Sequence, residues 1–380
     1  PTPMYRHPLF LPAAALFAFA ALAAADTGAA ATLALRLLPV LAFAASMSVV
    51  VNLAARVHLF EWLVARLERA TSSREATFAG LLALAAACTA FFSLDTTAIM
   101  LTPLAIQLAA RFRLPQPAVA FAVVWIANLA SMPLPVSNLT NLLALSGGAF
   151  DSQQHFRHAA QFPAAAAFAV AAAACYLARF AYRGAAGCAE HDNQHHYPRP
   201  GAALLVLCAT MLALLSPVPY WATSTVAAAA MWVAVGTDGR RGGVAPLIPW
   251  PALALAAALS AAATLCITAS SVAGAVRHLQ GAHPGLLAAA GAAAANAINN
   301  IPAYFALEPA AGDPLSTMAL LIGVNAGPLV SPWASLATLL WADQLKRSGV
   351  SVQWTHFALW GLAVAPFAVG SATATLLATA

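Results

Sequence analysis

A chain of 380 residues that is 62% hydrophobic and only 8% charged, with apolar runs of membrane-spanning length from end to end, is expected to be an all-α polytopic membrane protein. A net charge of +5 would suit nucleic acid in a soluble protein, but here the basic residues flank apolar runs in short loops, where they set orientation and imply no nucleic-acid surface. The five cysteines are scattered without CxxC spacing, so neither disulfides nor a metal site follows, and no cofactor is called for.

The sequence opens on Pro1 with no Met and no cleavable signal pattern, which leaves room for missing N-terminal residues, and the first apolar run, 9–25, is expected to be a retained span. A second span, 33–55, continues into 58–69. There Leu59, Trp62, Leu63, Arg66 and Leu67 recur at helical spacing opposite charges, as in a helix lying in the membrane interface. Runs 76–92 and 95–110 are joined only by Ser93-Leu94, and Arg74 on one flank with Arg111 and Arg113 on the other predicts a re-entrant hairpin over 76–110. The next stretch, 116–149, is too long for one span and is interrupted by Pro133, Pro135 and Ser137-Asn138-Leu139-Thr140-Asn141. Irregular backbone at that depth survives where it is buried in protein or lines a cavity, so a broken helix is expected beside the hairpin tip.

A span at 160–182 closes a first half over 1–183. The polar loop 184–200 is expected to be a cytoplasmic linker, its run from Glu190 to His196 solvated rather than metal-binding. The second half, 201–380, holds spans at 201–216, 219–236 and 248–270, an arm ending near Arg277-His278, a hairpin over 285–311 tipped by Asn296 to Pro302, a broken helix over 315–346 and a last span at 356–379. With the N-terminus inside, every Arg and Lys but Arg36, Arg157 and Arg277 becomes cytoplasmic, Glu308 and Asp313 fall outside, and Arg36 is expected to snorkel from an outer helix end. A multi-pass protein of the bacterial cytoplasmic membrane is therefore expected.

The halves repeat. A shift of 197 places Pro117, Asn128, Pro135, Asn138, Leu139 and Asn141 over Pro314, Asn325, Pro332, Ser335, Leu336 and Thr338, and a shift of 212 places Pro39 and Ser48 over Pro251 and Ser260. One unit enters from outside and the other from inside, so the repeats are inverted, as in secondary carriers, and the ligand is expected between the halves near the midplane.

Asp95 lies deep between two apolar runs, and an acid at that depth marks by default an ion or substrate pathway. Its expected role is to carry the coupling proton or sodium; the alternative is a structural acid that satisfies backbone donors at the hairpin tip. Thr96, Thr97, Asn128, Ser137, Asn138, Thr140 and Asn141 from the first half, and Asn299, Asn300, Asn325, Ser335 and Thr338 from the second, are the candidate ligand contacts. Such residues also glue membrane helices together, but here they gather at Pro-marked breaks in both halves. Cys88 and Cys266 are expected to pack as small hydrophobes. No HExxH, GxSxG or GxxxxGK[ST] pattern points to an enzyme.

Several stretches carry a resemblance: Phe60-Glu61-Trp62, Asp95 with Ala98 to Pro103, Ser137 to Asn141, Asn299 to Pro302, and Gly327-Pro328 through Ser335 to Trp341. In these the chain resembles the arsenical pump membrane protein (arsenite permease) family of the ion transporter superfamily. The resemblance implies a carrier with paired hairpins that exports arsenite or antimonite against the proton gradient, in some members with a cytosolic ATPase partner. Leu94 and Thr96 stand where that family has Asn and Gly, and Asn325 and Leu329 where it has an Asp and a Lys. A sodium-coupled dicarboxylate or other anion carrier and a sodium/proton antiporter of the same superfamily are the alternatives. The expected partners are the lipid bilayer, a small inorganic solute and its coupling ion; a homodimer is left open.

Overall fold

Several helix starts in this chain are set by small polar caps, among them Asp26, Ser73, Ser152 and Asp313. The computed structural model describes residues 10–71, 73–185, 197–269, 274, 276 and 278–380. Arg6, the run from Glu190 to His196 and Arg277 lie outside the described residues.

Helices α1 (Phe10–Ala25) and α2 (Thr27–Arg56) meet at Asp26, whose carboxylate accepts the Ala29 N–H at 2.9 Å. That cap starts α2 six residues before the predicted span. His58, at φ 55°, turns the chain into α3 (Leu59–Ala70). The face α3 buries is Leu59, Phe60 and Val64; of the amphipathic stripe, Leu59 is buried, Trp62, Leu63 and Leu67 are half-buried and Arg66 is exposed.

The first hairpin is α4 (Arg74–Phe92) and α5 (Leu94–Arg111), with Ser93 alone between them. Helix α6 (Gln116–Leu129), a 3-10 turn at Pro135–Ser137 and α7 (Leu139–Ser146) form the broken helix. Ser152 caps α8 (Gln153–Ala181) through the His155 N–H, so the helix begins with a polar first turn ahead of the predicted apolar run. Then come α9 (Gly201–Leu214), α10 (Tyr220–Ala234) and α11 (Trp250–Ala269). Cys88 is buried as expected, whereas Cys266 lies on an exposed face of α11.

The second hairpin is α12 (Pro284–Ile298) and α13 (Asn300–Leu307); the second broken helix is α14 (Pro314–Ala326) and α15 (Leu336–Arg347), followed by α16 (Trp354–Thr379). The α13 arm is shorter than the predicted 301–311. Pro309 has no N–H to continue an α-helix, and Glu308–Ala310 tightens into a 3-10 turn.

Among the described residues, α2, α4, α8, α11 and α16 are long and apolar enough to cross a membrane. The helices sort into two packed groups. Helices α1, α2, α9, α10 and α11 pack on one another, while both hairpins, both broken helices, α8 and α16 form the other group. At the centre of the second group α6 is buried from Ala118 through Leu129 and α14 from Thr317 through Ala326. Close approach there is bought with glycine: a Cβ on Gly323 would fall on the Ala288 carbonyl of α12, and one on Gly361 of α16 on the carbonyl of Leu329.

Candidate functional site

The hairpin tips share one backbone conformation. Ser93 has φ 80° and ψ 158°, and Asn299 has φ 86° and ψ 152°, a region almost reserved for glycine. Each residue ends one helix and starts the next, its N–H reaching back to Thr89 or Ala295. The tips are related by a shift of 206, between the two shifts read from the sequence, because the arm after the second tip is shorter.

Proline dictates the breaks. Pro133 and Pro135 stop the first helix from continuing, and Pro328 and Pro332 the second. Both helices restart on a capping side chain in extended conformation. Asn138 Oδ1 accepts the Thr140 N–H at 3.3 Å, and Ser335 Oγ accepts the Thr338 N–H at 3.2 Å. The predicted pairing of Asn138 with Ser335 is thus a pairing of N-caps.

The two broken helices meet at Asn325. Its Oδ1 accepts from Asn138 Nδ2 at 2.9 Å and from Thr140 Oγ1 at 2.6 Å, and its Nδ2 donates to Asn141 Oδ1 at 2.7 Å. Asn141 Nδ2 in turn donates to the Ser131 and Leu134 carbonyls at the first break. All four side chains are buried. An amide serves here because it both accepts and donates without carrying charge into the interior.

Asn128, the repeat partner of Asn325, is treated differently. Its Nδ2 donates to the Val124 carbonyl one turn back, and its buried Oδ1 has no partner among the described residues. Ser335 and Thr338 pair with each other at 3.1 Å. Of the candidate contacts, Asn138 and Asn141 join Asn325, while Ser335 and Thr338 bond to each other, the Ser335 hydroxyl also serving as its own helix cap.

The first tip is lightly tied to its break. Ser137 Oγ donates to the Ala90 carbonyl at 2.8 Å and accepts the Leu134 N–H. Thr97 is braced within the hairpin, accepting from Thr89 Oγ1 at 2.9 Å and donating to the Ser93 carbonyl. Thr96 is half-buried. Asp95, in the first turn of α5, is half-buried, and among the described residues its carboxylate accepts no hydrogen bond and pairs with no base. Helix α5 packs along both α6 and α15, which sets Asp95 on the element between the two broken helices.

The second tip is clamped. Asn296 Nδ2 donates to the Gly327 carbonyl at 2.7 Å, and its Oδ1 accepts the Val330 and Ser331 N–H groups. Trp333 Nε1 donates to the Ala297 carbonyl, Asn299 Nδ2 to the Trp333 carbonyl, and the Asn300 N–H to the Ala334 carbonyl. Asn299 and Asn300 thus hold the unwound segment of the second break. Asn296, absent from the predicted site, is the main clamp; its place three residues before the tip was the available signal.

The citrate transporter family (CitMHS) profile matches residues 6–324. The chain belongs to that family. Among solved structures, the YdaH transporter of Alcanivorax borkumensis is similar over 95% of this chain and 87% of its own, with a TM-score of 0.59 at 14% identity, and so shares the fold. No curated protein matches. Family and structural neighbour are transporters, and this citrate transporter family member is a multi-pass membrane protein of the same all-helical architecture, with inverted repeats that each carry a hairpin and a broken helix. The arsenite permeases remain a resemblance of motifs.

One further constellation in this family member escaped the sequence. Arg36, a third of the way along α2, grips Glu308 with both Nη groups, donates to the Leu143 carbonyl of α7 at 3.1 Å and lies 5.8 Å from the Phe305 ring centroid. Tyr304 donates to the same Glu308 carboxylate at 2.9 Å. The expected snorkelling of Arg36 is corrected: a half-buried carboxylate and a carbonyl hold it inside the protein. A Cβ on Gly147 would strike its guanidinium, so the residue that ends α7 makes room for it.

Proposed function

We propose that this chain is a secondary active carrier of the bacterial cytoplasmic membrane that moves a small carboxylate together with a cation, proton or sodium, held at Asp95. The observation that carries this reading is the Asp95 carboxylate itself. It neither caps the hairpin nor pairs with a base among the described residues, which favours the pathway reading over a structural acid, because an unpaired acid at membrane depth needs water or a cation. Asn, Ser and Thr side chains and the N-termini of α7 and α15 supply donors suited to carboxylate oxygens. An anionic solute beside a bare Asp95 would be repelled, so cation and solute favour each other's binding. That mutual preference is the coupling free energy a symporter requires.

A second reading, proton-coupled efflux of arsenite or antimonite, is favoured by the uncharged Asn138–Thr140–Asn141–Asn325 network, whose amides and hydroxyls suit a neutral trihydroxy solute without demanding a charge. Proteoliposomes holding the purified chain separate the two. Citrate should accumulate under an imposed inward proton or sodium gradient and arsenite should not; gradient-driven movement of arsenite alone, or citrate entry indifferent to both gradients, would reject the carboxylate reading.

A further inference from the structure

On α3 and the chain leading into α9, Trp62, Arg66, Arg69, Tyr197 and Arg199 line a pocket of about 410 Å³. Two of its arginines sit three apart on α3, and the third comes from the strand of chain that leads into α9. Arg66 lies 6.0 Å from the Trp62 ring centroid, and the Tyr197 ring lies 5.5 Å from that of His58 at the turn before α3. Among the described residues the acids of α3 are engaged elsewhere: Glu61 pairs with His58, and Glu68 binds Arg111 of the first hairpin at 2.7 Å. Among the described residues no carboxylate pairs with Arg66, Arg69 or Arg199.

Three arginines lining one pocket with no acid between them favour an anion there, and their planar forks match phosphate oxygens two at a time. The surroundings say where the anion comes from. Helix α3 is amphipathic and follows at once on α2, a 30-residue apolar helix that ends at Arg56, so it runs along the bilayer surface where the span emerges. Trp and Tyr are the side chains favoured at headgroup depth, and basic clusters there select anionic lipid.

We propose that Arg66, Arg69 and Arg199, framed by Trp62 and Tyr197, bind the phosphate headgroup of an anionic phospholipid. The lipid would tie α3, and through the Glu68–Arg111 pair the first hairpin, to the chain entering α9. The full chain purified in detergent is the test. Added phosphatidylglycerol should raise its melting temperature over an equal amount of phosphatidylcholine, and Arg66→Gln/Arg69→Gln/Arg199→Gln should lose that difference. Arg199→Gln alone, at an exposed position outside any helix, should weaken it even where the triple variant fails to fold. An undiminished phosphatidylglycerol shift in Arg199→Gln would overturn the site. A shift of the same size with inorganic phosphate would show that the pocket takes a free anion and overturn the lipid assignment.

Discussion

Arg36 and Glu308 form a two-pronged ion pair across 272 residues of chain, joining a helix of one packed group to the end of the second hairpin in the other. Both side chains are about one-fifth to one-quarter exposed, so water reaches the pair, yet removing either partner strands a charge beside an apolar wall. Arg36→Gln or Glu308→Gln should each destabilise the protein by about 1–3 kcal/mol, less than the full cost of breaking a buried pair. The double variant should lose less than the two single losses added together. Thermal unfolding of the three variants checks this, and strict additivity would show that the pair contributes nothing as a pair.

The outline of this fold was legible because its punctuation is local. Pro133, Pro135, Pro328 and Pro332 mark the breaks, Asp26, Ser73, Ser152 and Asp313 cap helices at or a few residues ahead of the apolar runs, and the shifted Asn and Pro positions expose the repeat. The site was legible only as a composition of side chains. That Asn325 is satisfied by residues about 185 positions away while Asn128 bonds within its own helix is a matter of long-range packing, which periodicity does not encode. Arg36 was misread for the same reason: its partner lies in the other half, where the shortened α13 arm brings Glu308 back to α2.

Asn325 should tolerate neither truncation nor charge. Asn325→Ala leaves the buried Thr140 donor and Asn141 acceptor without a partner and Asn138 Nδ2 with only its longer bond to Ser131 Oγ at 3.4 Å, at a cost of about 1–3 kcal/mol for each group left unmade. Asn325→Asp keeps the two donors satisfied but turns an oxygen toward Asn141 Oδ1, and Asn141 cannot flip because its Nδ2 already serves the Ser131 and Leu134 carbonyls. Both variants should lower the melting temperature. An Asn325→Asp protein as stable as the parent would mean that the network repacks freely.

The first hairpin should return to the face it left. If α4 and α5 are re-entrant, cysteines placed by Ser73→Cys and Arg113→Cys label from the same side of the membrane, the cytoplasmic one under the charge distribution read above. Labelling from opposite sides would invert every later loop and sink that topology.

Asp313 supplies a pH dependence with a definite sign. The Ser316 N–H donates to Oδ1 at 2.9 Å and the Ser316 hydroxyl to Oδ2 at 2.7 Å, and these bonds hold its carboxyl below the usual range. Because the folded-state value is the depressed one, the stabilisation is complete above the ordinary Asp value, about 4, and is lost as pH falls through the folded value. Asp313→Ala should cost about 1 kcal/mol at neutral pH, as lost helix caps do, and the gap to the parent should close in acid. Asp313→Asn keeps an acceptor for the Ser316 N–H and should remove the acid dependence. A gap that stays constant from neutral pH into acid would assign the loss to packing instead.

Asp95 carries the strongest functional expectation. Two unit charges 4 Å apart at an effective dielectric of 20 interact by about 4 kcal/mol, so a carboxylate solute near a bare Asp95 would lose close to three orders of magnitude in affinity. A cation on Asp95 removes that penalty, and the solute's charge in return tightens the cation. Asp95→Asn imitates the loaded, uncharged state permanently. Solute should then bind and exchange down its own gradient with no cation present, while an imposed proton or sodium gradient should no longer concentrate it. Asp95→Glu, which keeps the charge, should retain some gradient-driven accumulation. Counterflow and gradient-driven uptake measured side by side in proteoliposomes distinguish these outcomes, and an Asp95→Asn protein that still accumulates solute against its gradient would move the coupling group elsewhere.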